Sequence, residues 1–224
     1  MKRLVLFVEG QGDVKAVPVL IRRLITDQEG WNNLSIDENP FEIGSVNNMI
    51  KENYSGWKKK LKSCMKKENT GGVLVILDGD IKKVSGEDFC AAEVAKSLAE
   101  AAKEVGAGKM FSVAIVFAVQ EYETWLVAGI ESLAGKKLPD GRSVNAQAKA
   151  PDGDLEVNPR NAKGALGTII EGGYDQVLDQ ASLTQLINID FIRSRKLRSF
   201  QRLESALSSL IDAIRSGDHI ASPS

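Results

Sequence analysis

The chain has 224 residues, 43% of them hydrophobic and 26% charged, enough for one sizeable core under an ordinary polar surface. A formal net charge of -1 excludes a protein that holds polyanions through overall basicity and leaves only a local basic face for that role. Cys64 and Cys90 lack the paired spacing of a zinc knuckle or disulfide framework, and the single histidine, His219, gives Ser-His or Cys-His catalysis no well-anchored base.

The first apolar stretch runs only from Leu4 to Val8 before Glu9 interrupts it, so no secretory leader is expected. No segment approaches the roughly 20 apolar residues needed to cross a bilayer, and a cytoplasmic protein without membrane contact is the expectation.

Arg3–Val8 is aliphatic without helical period, which predicts a buried parallel strand. Pro18 would clash inside a helix, so the following helix is expected to start near Val17, with Gly10–Ala16 as a turn and Leu20, Ile21, Leu24 and Ile25 on one face. Phe41–Val46 reads as a short strand. Val46–Lys67 reads as a helix with Trp57, Leu61, Cys64 and Met65 inward and a break at Tyr54–Gly56. Gly71–Asp80, "GGVLVILDGD", is the clearest central strand, and Glu87–Val105 the next helix. Phe111–Ala118 is a strand that passes into a helix near Glu121. The alternation predicts an α/β fold with a mostly parallel central sheet flanked by helices.

Residues 1–133 form this unit, and 134–158 read as a long polar loop of the functional or mobile kind. Residues 159–217 read as a helical extension packed on the same core, opened by Asn158 as N-cap and Pro159 at the first helical position. Its later helices are expected near Val177–Ile187 and Ser199–Arg215. Residues 218–224 form a tail with little to anchor it.

The functional signal is acidic. Glu9 and Asp13 follow the first strand, and Asp78 and Asp80 follow the central one, so all four emerge at the edge where open α/β sheets bind ligands. Carboxylates gathered there would raise one another's pKa, a cost that a divalent cation removes, and oxygen-only ligands suit Mg2+ or Mn2+. Asp-Gly is also a common turn dipeptide and Glu9 would serve as a cap, so a purely structural reading stays open. "EGQGDV" holds G-x-G after a strand, but Lys15 stands where a dinucleotide motif needs its third glycine. Glu121 is a fifth, weaker site candidate, because the helix after the fourth strand begins at the same edge, where an acidic residue also suits the helix dipole. Basic side chains concentrate in Trp57–Lys67 and Arg193–Phe200; Arg193 and Arg195, and also Arg160 and Lys163, are the candidates for holding a phosphate or nucleic acid.

Glu-Gly after a first strand, an acidic residue four positions past that Glu, and D-x-D after a later strand resemble the Toprim signature of topoisomerases, primases and overcoming-lysogenization-defect nucleases. More closely, "VEGQGDVKAVPVL", "LDGD", "QEYETWL" and the late "SF" helix resemble the bacterial domain-of-unknown-function family 4276, a Toprim-like group. The resemblance implies a Toprim-like Rossmannoid fold over residues 1–133. It implies Glu9 as general acid/base or metal ligand, Asp78 and Asp80 as the metal-binding pair, with Glu9, Asp78 and Asp80 carrying catalysis, and Asp13 as ligand to a second ion. The expected function is a Mg-dependent, phosphodiester-cleaving nuclease of a bacterial defence or mobile-element system. The alternatives are a non-catalytic subunit that partners a separate ATPase, since this chain has no Walker motif, or a module that binds a metal-nucleotide.

Overall fold

In a computed structural model, which describes residues 1–26, 34–158 and 160–222, the first apolar run becomes strand β1 (Lys2–Val8) and is followed by helix α1 (Gln11–Thr26). Strands β2 (Leu34–Ile36) and β3 (Phe41–Glu42) then pair in succession, both parallel to β1. Helix α2 (Val46–Cys64) leads to the central strand β4 (Thr70–Asp78), and a hairpin of β5 (Lys83–Val84) and β6 (Glu87–Asp88) precedes α3 (Ala91–Lys103). Strand β7 (Ser112–Ala118) passes into α4 (Glu123–Ala128) and a 3-10 turn (Ile130–Leu133). Helices α5 (Ala162–Ile169), α6 (Gln176–Leu186), α7 (Ile189–Ser194) and α8 (Arg198–Ser216) follow, and β8 (Ala221–Ser222) completes the sheet.

The main sheet runs β2-β1-β4-β7-β8, with β3 beside β1, and its described pairings are all parallel. Successive side chains on a strand point to opposite faces, so each central strand feeds two cores. Leu4, Leu6 and Val8, Leu74 and Ile76, and Ala114 and Val116 pack under α1 and the C-terminal helices. Val5, Phe7, Val73, Val75, Leu77, Val113, Ile115 and Phe117 pack under α2 and α3. A sheet covered on both faces explains why these strands read as unbroken apolar runs rather than alternating ones. Among the described residues no helix is long and apolar enough to cross a membrane.

Several sequence expectations need correction. The first helix starts at Gln11, not Val17, and carries Pro18 in its interior. Asp13 accepts the Gly10 N–H at 3.1 Å and closes the first turn, and burial of Val17, Leu20, Ile21, Leu24 and Ile25 outweighs the hydrogen bond that Pro18 cannot make. In α2 the break falls at Lys51–Tyr54, three residues earlier than Tyr54–Gly56, with Glu52, Asn53 and Tyr54 left-handed. The helix expected from Glu87 starts at Ala91, because Ser85 and Gly86 both have positive φ and turn the chain back as a two-residue hairpin loop.

The stretch 134–158 is not a bare polar loop: Leu138, Val144, Ala148, Ala150 and Leu155 are buried, and Val144 bridges Ile170. The N-cap of α5 is Asn161, whose side chain accepts the Gly164 N–H at 2.7 Å, rather than Asn158; Pro159 lies outside the described residues. The tail is anchored through β8, which pairs with β7; residues 223–224 lie outside the described residues.

Candidate functional site

Parallel register sets the site. Val8 pairs with Ile76 and Asp78 with Ala118, so the C-terminal ends of β1, β4 and β7 lie side by side. The side chain of Glu9, one residue past β1, accepts the Asp78 backbone N–H at 3.1 Å. The Asp78 carboxylate in turn accepts the Tyr122 N–H at 3.0 Å, which ties β4 to the start of α4. Gly79 donates its N–H to Ala118 O at 2.7 Å, and a Cβ there would stand only 2.9 Å from that oxygen, so the turn needs glycine. Asp13 is buried, with one oxygen on Gly10 N and the other on Gln180 Nε2 at 2.8 Å.

The C-terminal helices close the edge. Lys163, in the first turn of α5, donates its backbone N–H to Glu121 Oε1 at 3.0 Å and places Nζ 3.0 Å from Glu121 Oε2 and 3.8 Å from Glu123 Oε2. Tyr174 donates its hydroxyl to Glu123 Oε1 at 2.8 Å.

These carboxylates titrate as a group. Burial raises Asp78 well above the ordinary carboxylate value, and repulsion from Asp13, Glu123 and Glu9 adds to it against the pull of Lys163. Glu9 is raised chiefly by burial, opposed by the Asp78 N–H and reinforced by Asp13. Burial also raises Asp13 despite its bonds to Gln180 and Gly10. Glu123 is pushed up to about 7, burial outweighing Lys163 and Tyr174. Burial pulls Lys163 down, yet Glu123, Glu121 and Asp78 more than compensate and hold it charged.

Orphaned polar atoms gather in the same region. Gln120 Oε1 and Nε2, Glu123 Oε2, Thr124 Oγ1 and Gln180 Oε1 are buried without a hydrogen-bond partner. Such atoms are costly unless water or a ligand meets them.

The expected residues separate into three sets. The fold brings Glu9, Asp13 and Asp78 into one electrostatic group, with Glu121 at its margin in an ion pair with Lys163. Asp80 stands exposed past the strand end, and Arg160 is exposed. Arg193 pairs with Glu204 and Asp190, and Arg195 with Glu131, so both engage the chain's own carboxylates. Glu123, rather than Glu121, is the carboxylate of this helix that turns inward. Its spacing of three, four and seven residues from the buried Leu126, Val127 and Ile130 was the readable signal.

Among the described residues no group of three or more His, Cys, Asp or Glu side chains is placed to hold a metal ion. Mg2+ is commonly held by one or two carboxylates completed by water and substrate phosphates, and the all-oxygen donors here match that mode rather than a protein cage. Glu9 and Asp78 each have one oxygen engaged by a backbone N–H and the other without a protein partner among the described residues.

A family model described as Domain of unknown function (DUF4276) matches residues 8–208. No curated protein and no solved structure matches the chain.

Proposed function

We propose that this chain, which belongs to the DUF4276 family, cleaves phosphodiester bonds with a divalent cation at the acidic edge of a Toprim-like Rossmannoid core. The observation that carries this reading is the convergence of Glu9 and Asp78 at the ends of adjacent parallel strands, where Glu9 accepts the Asp78 N–H at 3.1 Å, with Asp13 in the first turn of α1. Buried carboxylates that repel one another favour a cation, and the strand ends of an open parallel sheet are where ligands enter.

Glu9 and Asp78 would hold the ion, with Asp13 beside them. A bound Mg2+ or Mn2+ supplies Lewis-acid polarisation of a phosphoryl oxygen and neutralises developing charge. The chain's own residues do the rest. Lys163 keeps a fixed positive charge at the edge, suited to orienting a phosphate oxygen. Glu123, poised near neutral pH and oriented by the Tyr174 hydroxyl, can hold or release a proton there. The Gly79 turn fixes Asp78 against Tyr122, so the acceptor is placed before a substrate arrives.

Incubation of the purified chain with single- and double-stranded DNA and RNA, with Mg2+ or Mn2+, beside Glu9→Gln and Asp78→Asn, tests the proposal. Cleavage that both substitutions abolish supports it, and cleavage that neither affects removes the assignment. Co-purification with an ATPase and no turnover under any divalent ion would favour the non-catalytic subunit instead.

A further inference from the structure

Gln120 stands between the end of β7 and the start of α4 with a backbone φ of 66°, a left-handed conformation that glutamine rarely adopts. Only 6% exposed, it leaves both the oxygen and the nitrogen of its amide buried and unpartnered. The strained backbone and unsatisfied side chain occupy the same residue, and that residue adjoins the site: a Cβ on Gly79 would come within 3.5 Å of Gln120 N. One helical turn later, the Thr124 hydroxyl is also buried and unpartnered.

A primary amide presents a donor and an acceptor side by side. A phosphate carries acceptors alone, so it would satisfy Nε2 and set Oε1 against like charge. The edge of a nucleobase presents a donor beside an acceptor, and glutamine pairs with such an edge through both atoms. We infer that Gln120 is a specificity-determining residue that reads the edge of a nucleobase adjoining the phosphate held at the acidic edge, so that the ligand is a nucleotide unit rather than a sugar phosphate or bare phosphate. This inference rests on reading the acidic edge as a phosphodiester site. The nucleotide unit has two sources, a free mononucleotide or an unpaired residue of a single strand.

Calorimetry on the full chain with Mg2+ tests it. AMP, GMP, CMP and UMP are compared with ribose 5-phosphate, and a short single-stranded oligonucleotide with its abasic counterpart. At least one base-bearing ligand should bind about tenfold tighter than its base-free control, the scale of one bidentate base contact. In Gln120→Met, which keeps the volume and removes both polar atoms, that preference should vanish while ribose 5-phosphate binds unchanged. Gln120→Asn, which keeps the amide and withdraws it by one methylene, should show the same loss and serves if the methionine variant does not fold. Preference among the mononucleotides identifies a free nucleotide, and preference confined to the oligonucleotides identifies a single strand. Equal binding with and without a base, no binding of either, or a preference that survives in Gln120→Met would overturn the inference and leave Gln120 as a residue solvated by buried water. A Mn2+ titration without nucleotide separates the two readings. Base preference without metal binding overturns the metal assignment alone, and metal binding without base preference overturns the role of Gln120.

Discussion

The Glu9 carboxylate and the Asp78 backbone N–H, 69 residues apart in sequence, meet at 3.1 Å and join the ends of two adjacent parallel strands. Asp78 passes the linkage on by accepting the Tyr122 N–H at 3.0 Å, so two acidic side chains organise the start of α4 as well as charging the edge. Glu9→Gln keeps an acceptor for the Asp78 N–H and removes the charge, which makes it the more informative substitution.

The upward shift of these carboxyls makes stability depend on pH. A carboxyl whose folded pKa is raised contributes stability that is fully present below its unfolded value and is lost as pH rises through its folded value. For Glu123 that window runs from 4.5 to about 7. Glu9, Asp13 and Asp78 act in the same direction. The melting temperature should therefore decline between pH 5 and pH 8. Glu123→Gln should flatten that decline, recovering on the order of 2–3 kcal/mol at pH 8 relative to wild type. Thermal melts of both proteins across that range check the sign, and a slope identical in the two would count against the assignment.

Lys163 is the positive charge that acts on Glu9, Asp13, Asp78 and Glu123 together. Removing it in Lys163→Ala should raise all four further, moving the Glu123 titration above 7. The shift is read from the glutamate side-chain carbon resonances by NMR. Any cleavage should fall by about tenfold or more, as when one group that stabilises charge is deleted from a site. Circular dichroism should stay unchanged, because the lysine side chain is partly exposed and contributes little to the core.

Gly12 marks where α1 and α6 press together. A Cβ there would lie 2.1 Å from Gln180 Oε1 and 2.5 Å from Gln176 Cγ. Gly12→Ala must push the Gln180 side chain away and break its bond to Asp13. The expected cost is about 1–3 kcal/mol by urea unfolding, in the range of overpacked sites. If stability stays within measurement error, the close packing of these two helices is not what holds Asp13.

Much of this fold was legible because the central strands are buried on both faces, so their apolar runs and the acidic residues that end them stand out along the chain. The strands β2 and β8, of three and two residues, were not legible, since so short a segment carries no period and is held by its neighbour in the sheet. The penalty of Pro18 is local and visible in sequence, whereas the buried face of α1 that offsets it exists only once the helix packs. Within the site, Glu9, Asp13 and Asp78 were readable from strand-end position. Gln120, Tyr174 and Gln180 were not, because their importance lies in what they meet, or fail to meet, across long stretches of chain. Ser85–Gly86 was a turn signal that could have shortened the helix expected at Glu87.

The central claim is that the acidic edge takes a divalent cation between the ends of β1 and β4. Calorimetric titration of Mn2+ into the full chain measures that binding directly. The account predicts saturable binding, strongly weakened in Glu9→Gln and Asp78→Asn. Absence of saturable binding, or binding that is indifferent to both substitutions, would contradict it.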